Sequence, residues 1–312
     1  MERYMTELIY LSDSYKKSLT TRVISCEQKG QHWEIVLAST IFYPEGGGQP
    51  SDKGIITTAA GKAHVKHVRL TGDTVIHECS LEGSIKPDEE AICQLDWNTR
   101  YYNMRVHSAG HVVHEAAMHV SPLLIPIKGE HGTHAYIEYE GSLPIDKSFA
   151  IEKEVNSMVE ANVPITTEFV SLEELTARAS WVPPHLPKNK PLRILSVGTL
   201  SPIPDGGTQV KEAGEIGPIS VTAIENTEHT VRVRYSVEKN QLPTTESSDV
   251  PDAIPAPELT RMLMDVEASA KQTIEASTDE TDILRLQLLG AKSDFAKVTR
   301  NIKYVPQAYR QE

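Results

Sequence analysis

Two histidines four residues apart, His107 and His111, lie in Arg105-Val-His-Ser-Ala-Gly-His-Val-Val-His-Glu-Ala-Ala-Met118. Four residues is about one helical turn, so both imidazoles leave the same face of a helix. The flanking Ala, Val and Met, with no proline among them, suit a buried helix. Two imidazoles on one rigid rod supply half of a metal's ligands, at about 2.0–2.1 Å each. The same spacing fits an amphipathic helix whose histidines bond carbonyls, and spacing alone leaves both readings open. His114 extends the same face and His119 does not; both read as packing or surface residues.

A second stretch carries chemistry through its backbone: Thr40-Ile-Phe-Tyr-Pro-Glu-Gly-Gly-Gly-Gln-Pro-Ser-Asp-Lys-Gly54. Three consecutive glycines between two prolines exclude a helix or a central strand. They make either a tight turn of a β-barrel or a loop whose backbone approaches something closely. The loop carries Gln49 and Asp52, and Thr40 enters it from a strand. No Gly-Lys-Ser/Thr follows, so it is not a nucleoside-triphosphate loop. A further glycine turn is Pro204-Asp-Gly-Gly-Thr-Gln-Val210.

The elements that must position these groups are legible in outline. Residues 4–10 and 32–39 read as strands, and residues 54–96 alternate apolar and polar in short runs, as in a small antiparallel barrel. Asp96-Trp-Asn-Thr is a cap for the helix that holds His107 and His111. Residues 123–139 give one or two strands around a turn at 129–134. Helix 146–162, strand 164–170 and short helix 171–179 follow. After the proline-rich loop 183–191, whose lysines with Arg193 form a modest basic spot, come a strand from Leu192 and a hairpin over 216–224 and 230–237. The polar run 241–257 reads as a linker, and 258–312 as a helical hairpin with Leu284, Leu286, Leu288 and Leu289 apolar. The expected class is α+β: a small N-terminal β-barrel over 1–96, an α/β sandwich over 97–240, and the C-terminal helices.

Composition bounds the function. The 312 residues are 39% hydrophobic and 24% charged, as in ordinary globular proteins. A net charge of −12 gives no general attraction to nucleic acid, so contact with RNA requires a local basic surface. Cys26, Cys79 and Cys93 form no Cys-x-x-Cys pair and fit a reducing compartment. No run approaches the roughly 20 apolar residues of a membrane span, and no signal peptide is evident, so the cytoplasm is expected. No membrane or DNA partner is expected.

Three separated pieces match one pattern: the 40–52 stretch, His107-x-x-x-His111, and Asp-Gly-Gly-Thr-Gln-Val-x-x-x-Gly-Glu-Ile-Gly217. Together they resemble the AlaX-type alanyl-tRNA editing proteins, free-standing relatives of the editing domain of alanyl-tRNA synthetase. The resemblance covers about residues 5–240. It implies a barrel followed by an editing-type α/β domain, and hydrolysis of the ester that joins serine or glycine to the alanine tRNA. It also implies a zinc site made by the two helix histidines and by the Cys and His of a Cys-Gly-Gly-Thr-His turn. His107 and His111 match the first two positions; the others carry Asp205 and Gln209.

Losing the thiolate removes the ligand that most favours zinc. Two histidines and one carboxylate still make an open set of the catalytic kind, whereas Gln209 is a poor neutral ligand. Three readings stand: a weakened zinc site of His107, His111 and Asp205 completed by water, a metal-free site in which these residues bond the substrate, and a site that only binds. An aminoacyl ester is already activated, so the task is to place a water and steady an oxyanion. Without metal, His107 or His111 holds or deprotonates the water and Asp205 orients the imidazole.

The Gly46-Gly47-Gly48-Gln49 turn offers backbone N–H groups to the ester carbonyl or terminal ribose, and by the resemblance Gln49 contacts the aminoacyl end. Gly206, Gly207, Thr208 and Gln209 face the same substrate in this reading. Thr40 stands at the position implied in contact with the seryl hydroxyl. A pocket that bonds that hydroxyl discriminates by roughly 10⁴. The partner implied is tRNA through its aminoacyl end. The tail resembles the helical arm near the N-terminus of the phenylalanyl-tRNA synthetase α subunit, and Lys292, Lys297, Arg300, Lys303 and Arg310 would suit phosphate contacts with the tRNA body.

Overall fold

The computed structural model describes residues 4–239 apart from 180–181, 184–185 and 188–189; the expected linker and helical hairpin lie outside the described residues. In chain order the strands and helices are β1 (Glu7–Leu8), β2 (Ser18–Lys29), β3 (His32–Leu37), β4 (Ser39–Thr40), β5 (Gly54–Thr57), β6 (Gly61–Thr71), β7 (Thr74–Gly83) and β8 (Glu90–Leu95). Then come α1 (Trp97–Val120), β9 (Ile125–Glu130), β10 (Tyr136–Glu140), α2 (Lys147–Glu160), β11 (Ile165–Val170), α3 (Leu172–Arg178), β12 (Leu192–Val197), β13 (Ile203–Pro204), β14 (Ile219–Asn226) and β15 (Thr230–Val237).

Strands β2-β3-β7-β6-β5-β8 close into a barrel, every neighbouring pair antiparallel. Alternation explains it: Ala63, Val65 and Val68 of β6 and Ala91 and Cys93 of β8 point inward, and a bulge between Val65 and His67 keeps the phase. The three cysteines are unpaired. The expected strand over 4–10 shortens to Glu7–Leu8, because the chain turns at Ile9–Leu11 to bury Tyr10.

The second core forms where α1 lies on the antiparallel sheet β14-β15-β10-β9, with α2 alongside. Small residues at 109, 110, 116 and 117 let α1 sink deeply, and Ala109, Ala116 and Ala117 are fully buried. Asp96 caps α1 by accepting from Thr99 N at 3.3 Å and Thr99 Oγ1 at 2.8 Å, a contribution of about 1 kcal/mol. Strands β11-β12-β13 make a small third sheet, and α3 begins with a capping box between Ser171 and Glu174. Among the described residues no helix is long and apolar enough to cross a membrane.

One buried ion pair ties the glycine loop to α1. Asp52 and Arg100 are both fully buried, and Arg100 Nε lies 3.0 and 2.9 Å from the two carboxylate oxygens. Tyr43 N donates to Asp52 at 2.6 Å, and Arg100 also donates to the carbonyls of Ser14 and Ile41. Every polar atom of the pair is occupied, which is the condition under which buried charges are tolerated.

Candidate active site

Helix periodicity brings His107 and His111 onto one face of α1 as expected, with ring centroids 5.0 Å apart and planes at 17°. The turn after β13 carries Asp205 against them: Oδ1 stands 3.3 Å from His107 Nε2 and 3.6 Å from His111 Nε2. These three donor atoms lie within 4.8 Å of one another. The side chain of His107 is 3% exposed, that of His111 12% and that of Asp205 5%.

The glycine turn reaches the same point from the barrel. Gly46 and Gln49 bond each other's backbone, and Gly47 and Gly48 have φ of +54° and +78°, the geometry of a two-residue turn that glycine adopts without strain. The amides of Gly46 and Gln49 are consumed there, at 3.2 and 2.9 Å; those of Gly47 and Gly48 have no partner among the described residues. The Gln49 side chain is fully buried. Thr208 N donates to its Oε1 at 3.0 Å, which identifies that atom as the oxygen, and its Nε2 donates to Thr208 Oγ1 at 2.8 Å. His107 Nδ1, 2.8 Å from the same Oε1, must therefore be the donor. Gln49 thus orients His107 and has no oxygen left for a substrate; it is a positioning residue.

That proton assignment decides the character of the group. With its hydrogen on Nδ1, neutral His107 turns a bare Nε2 lone pair toward a carboxylate oxygen. Burial, against the opposing pull of Asp205, pushes the His107 imidazole down to about 4 and so keeps it neutral. Burial raises the Asp205 carboxyl, but the groups it faces, the Arg193 guanidinium among them, outweigh burial and hold the acid well below its usual range. His111 Nε2 is buried with no hydrogen-bond partner. His107 Nε2, His111 Nε2 and Asp205 Oδ1 converge as two imidazole nitrogens and a carboxylate oxygen, the atom types of a donor set for a cation.

The remaining contacts brace this set. Asp205 Oδ2 accepts from Arg193 at 2.9 Å and from Gln209 Nε2 at 3.0 Å, and Oδ1 accepts from Gly207 N at 3.1 Å. Arg193 is therefore no part of a surface basic spot; it is buried and also bonds the carbonyls of Leu11 and Gly207 at 3.0 and 2.9 Å. Gln209 accepts from Ser108 Oγ at 2.6 Å, so its amide does not join the donor set. Gly207 fits flush on His107, where a β-carbon would overlap the imidazole, whereas Gly206 is open. His114 packs beside Tyr139, with its Nδ1 3.2 Å from the hydroxyl.

Thr40 is not brought to this group. Its hydroxyl is buried inside the barrel, 2.9 Å from His77 Nε2 and accepting from Phe42 N at 3.1 Å. Asp52 belongs to the ion pair with Arg100. The residue that sequence reasoning missed is His131, assigned to a turn. Its ring lies 4.2 Å from that of His107 at 16°, so three imidazoles gather in one place. A second cluster, His32, Glu34 and Glu78 on the barrel wall, already holds a cation: Arg69 bonds both carboxylates, at 2.6 and 3.0 Å.

A family model described as tRNA synthetases class II (A) matches residues 10–99. The alanyl-tRNA editing protein AlaX-M of Saccharolobus solfataricus is 31% identical over 232 residues, 71% of this chain and 94% of that relative. AlaX-L of Pyrococcus horikoshii is 30% identical over 223 residues, 70% of this chain and 54% of that protein. The alanine–tRNA ligase of Pyrobaculum aerophilum is 30% identical over 237 residues, and the match spans 25% of the ligase. The chain thus spans about half of AlaX-L and a quarter of the ligase, but nearly all of AlaX-M.

Proposed function

The chain belongs to the AlaX family of alanyl-tRNA editing proteins, and from that premise we propose that it hydrolyses the ester of mischarged alanine tRNA, with seryl and glycyl esters as substrates. The observation that carries this reading is the convergence of His107, His111 and Asp205 beside a glycine turn. The aminoacyl end of tRNA would enter there. The unpartnered N–H groups of Gly47 and Gly48 would donate to oxygens of the ester or the terminal ribose.

Zinc suits the donor set. His107, His111 and Asp205 would hold it, leaving an open position, and it would supply a Lewis acid beside the ester carbonyl. The surrounding bonds support that assignment: a ligating imidazole normally donates its other N–H to an oxygen, as His107 does to Gln49. The residues of the chain orient the imidazole, fix the carboxylate and exclude water from both.

A second reading is a module that binds aminoacyl-tRNA without hydrolysis. The Asp205–Arg193 pair favours it, because the guanidinium already neutralises the carboxylate. One assay separates the two: ester loss from seryl-, glycyl- and alanyl-tRNA for alanine, with metal content measured on the same protein. Editing predicts accelerated loss of the seryl or glycyl ester, no loss of alanyl, and collapse of the rate in His107→Ala. Retained tRNA binding with ester loss no faster than in buffer would establish the binding module instead.

A further inference from the structure

We propose that His131 reads the substrate's side chain, its Nε2 sharing a hydrogen bond with the seryl hydroxyl. This rests on the editing function proposed above. Tyr235 OH, 2.6 Å from His131 Nδ1 and 3.1 Å from Val106 O, occupies the Nδ1 side of the ring. Nε2 has no hydrogen-bond partner among the described residues, and in either tautomer it can share a hydrogen bond with a hydroxyl, which both donates and accepts.

The seat of the ring is built from missing side chains. A β-carbon on Gly129 would stand 2.6 Å from Nε2, and one on Gly110 would stand 2.5 Å from Nδ1. The two glycines admit the imidazole beside the cluster. The ring lies face to face with His107, and the backbone N of His131 donates to Gly48 O at 2.7 Å, joining the imidazole cluster to the glycine turn.

A need for such a group comes from elsewhere in the molecule. Sparing alanine while cleaving serine requires a polar atom that bonds the hydroxyl. Thr40, expected in that role, spends its hydroxyl on His77. His131 Nε2 is an uncommitted polar atom within the imidazole cluster.

The test compares seryl and glycyl esters on the full chain. His131→Phe keeps a flat ring in the glycine seat and removes the polar nitrogen. It should lower kcat/KM for seryl-tRNA about tenfold or more while leaving glycyl-tRNA within about twofold, and His131→Gln, which places a polar atom near the Nε2 position, should recover part of the seryl rate. Equal losses on both esters, or no loss on either, overturn the assignment and leave the editing reading standing. A natural protein that cleaves neither ester removes the editing reading, and this assignment with it. Should His131→Phe fail to fold, the seryl-to-glycyl ratio of His131→Gln decides: a ratio unchanged from that of the natural protein, with both rates lowered alike, overturns it.

Discussion

Gln49 Oε1 sits 2.8 Å from His107 Nδ1, so a residue of the barrel's glycine turn sets the proton position on a residue of α1. Gln49→Ala removes that acceptor and leaves Thr208 N unpaired as well. The variant should fold with a loss of about 1–3 kcal/mol and lose about 10–100-fold in deacylation rate. Urea denaturation and single-turnover kinetics measure the two effects. Unchanged kinetics would remove Gln49 from the machinery.

Asp205 and Gln209 replace the thiolate and imidazole implied by the family resemblance. The double variant Asp205→Cys with Gln209→His should bind zinc more tightly than the natural protein, because a thiolate favours zinc over a carboxylate. Competition with a chromophoric chelator gives the ratio. Tight stoichiometric zinc in the natural protein, not improved by the exchange, would show that the carboxylate set is already complete.

The Asp52–Arg100 pair has a structural role. Asp52→Asn leaves a buried guanidinium without its counter-charge and should cost about 3–5 kcal/mol. Exchange of both residues for apolar ones of similar size should cost less than the two single losses added, because no charge is stranded. Denaturant midpoints of the four proteins close the cycle.

His77 couples stability to pH. Burial lowers its imidazole from 6.5 to about 4. A depressed histidine contributes stability that is whole above the unfolded value and is lost as pH falls toward the folded one. The contribution at stake is about 3 kcal/mol. His77→Gln should therefore flatten the decline in stability between pH 6.5 and 4. Parallel slopes for the two proteins would place the charge change elsewhere.

The long elements were legible because their periodicity is local. The helix carrying His107 and His111, its Asp96 cap, the short strands before it and the closing hairpin fall where alternation and spacing put them. The meeting of His107 with Asp205 was legible only through a resemblance, since 98 residues separate them. His131 looked like a turn residue because its partners, Gly110, Tyr235 and His107, are distant in the chain and two of them act through shape. Thr40 shows the converse: a strand residue that precedes a glycine loop looks exposed to the site, yet His77, reached only when the barrel closes, claims its hydroxyl. Arg193 looked like a surface cation because a proline-rich loop precedes it, whereas β12 carries it inward to Asp205.

Gly207, Gly110 and Gly129 each press bare backbone against an imidazole. At these three positions the room a side chain would need is taken by a ring, so the pocket's shape is set by residues that have no side chain to offer it. A single methyl at any of them would displace an imidazole of the cluster, so alanine there should disturb the pocket as surely as the loss of a polar side chain.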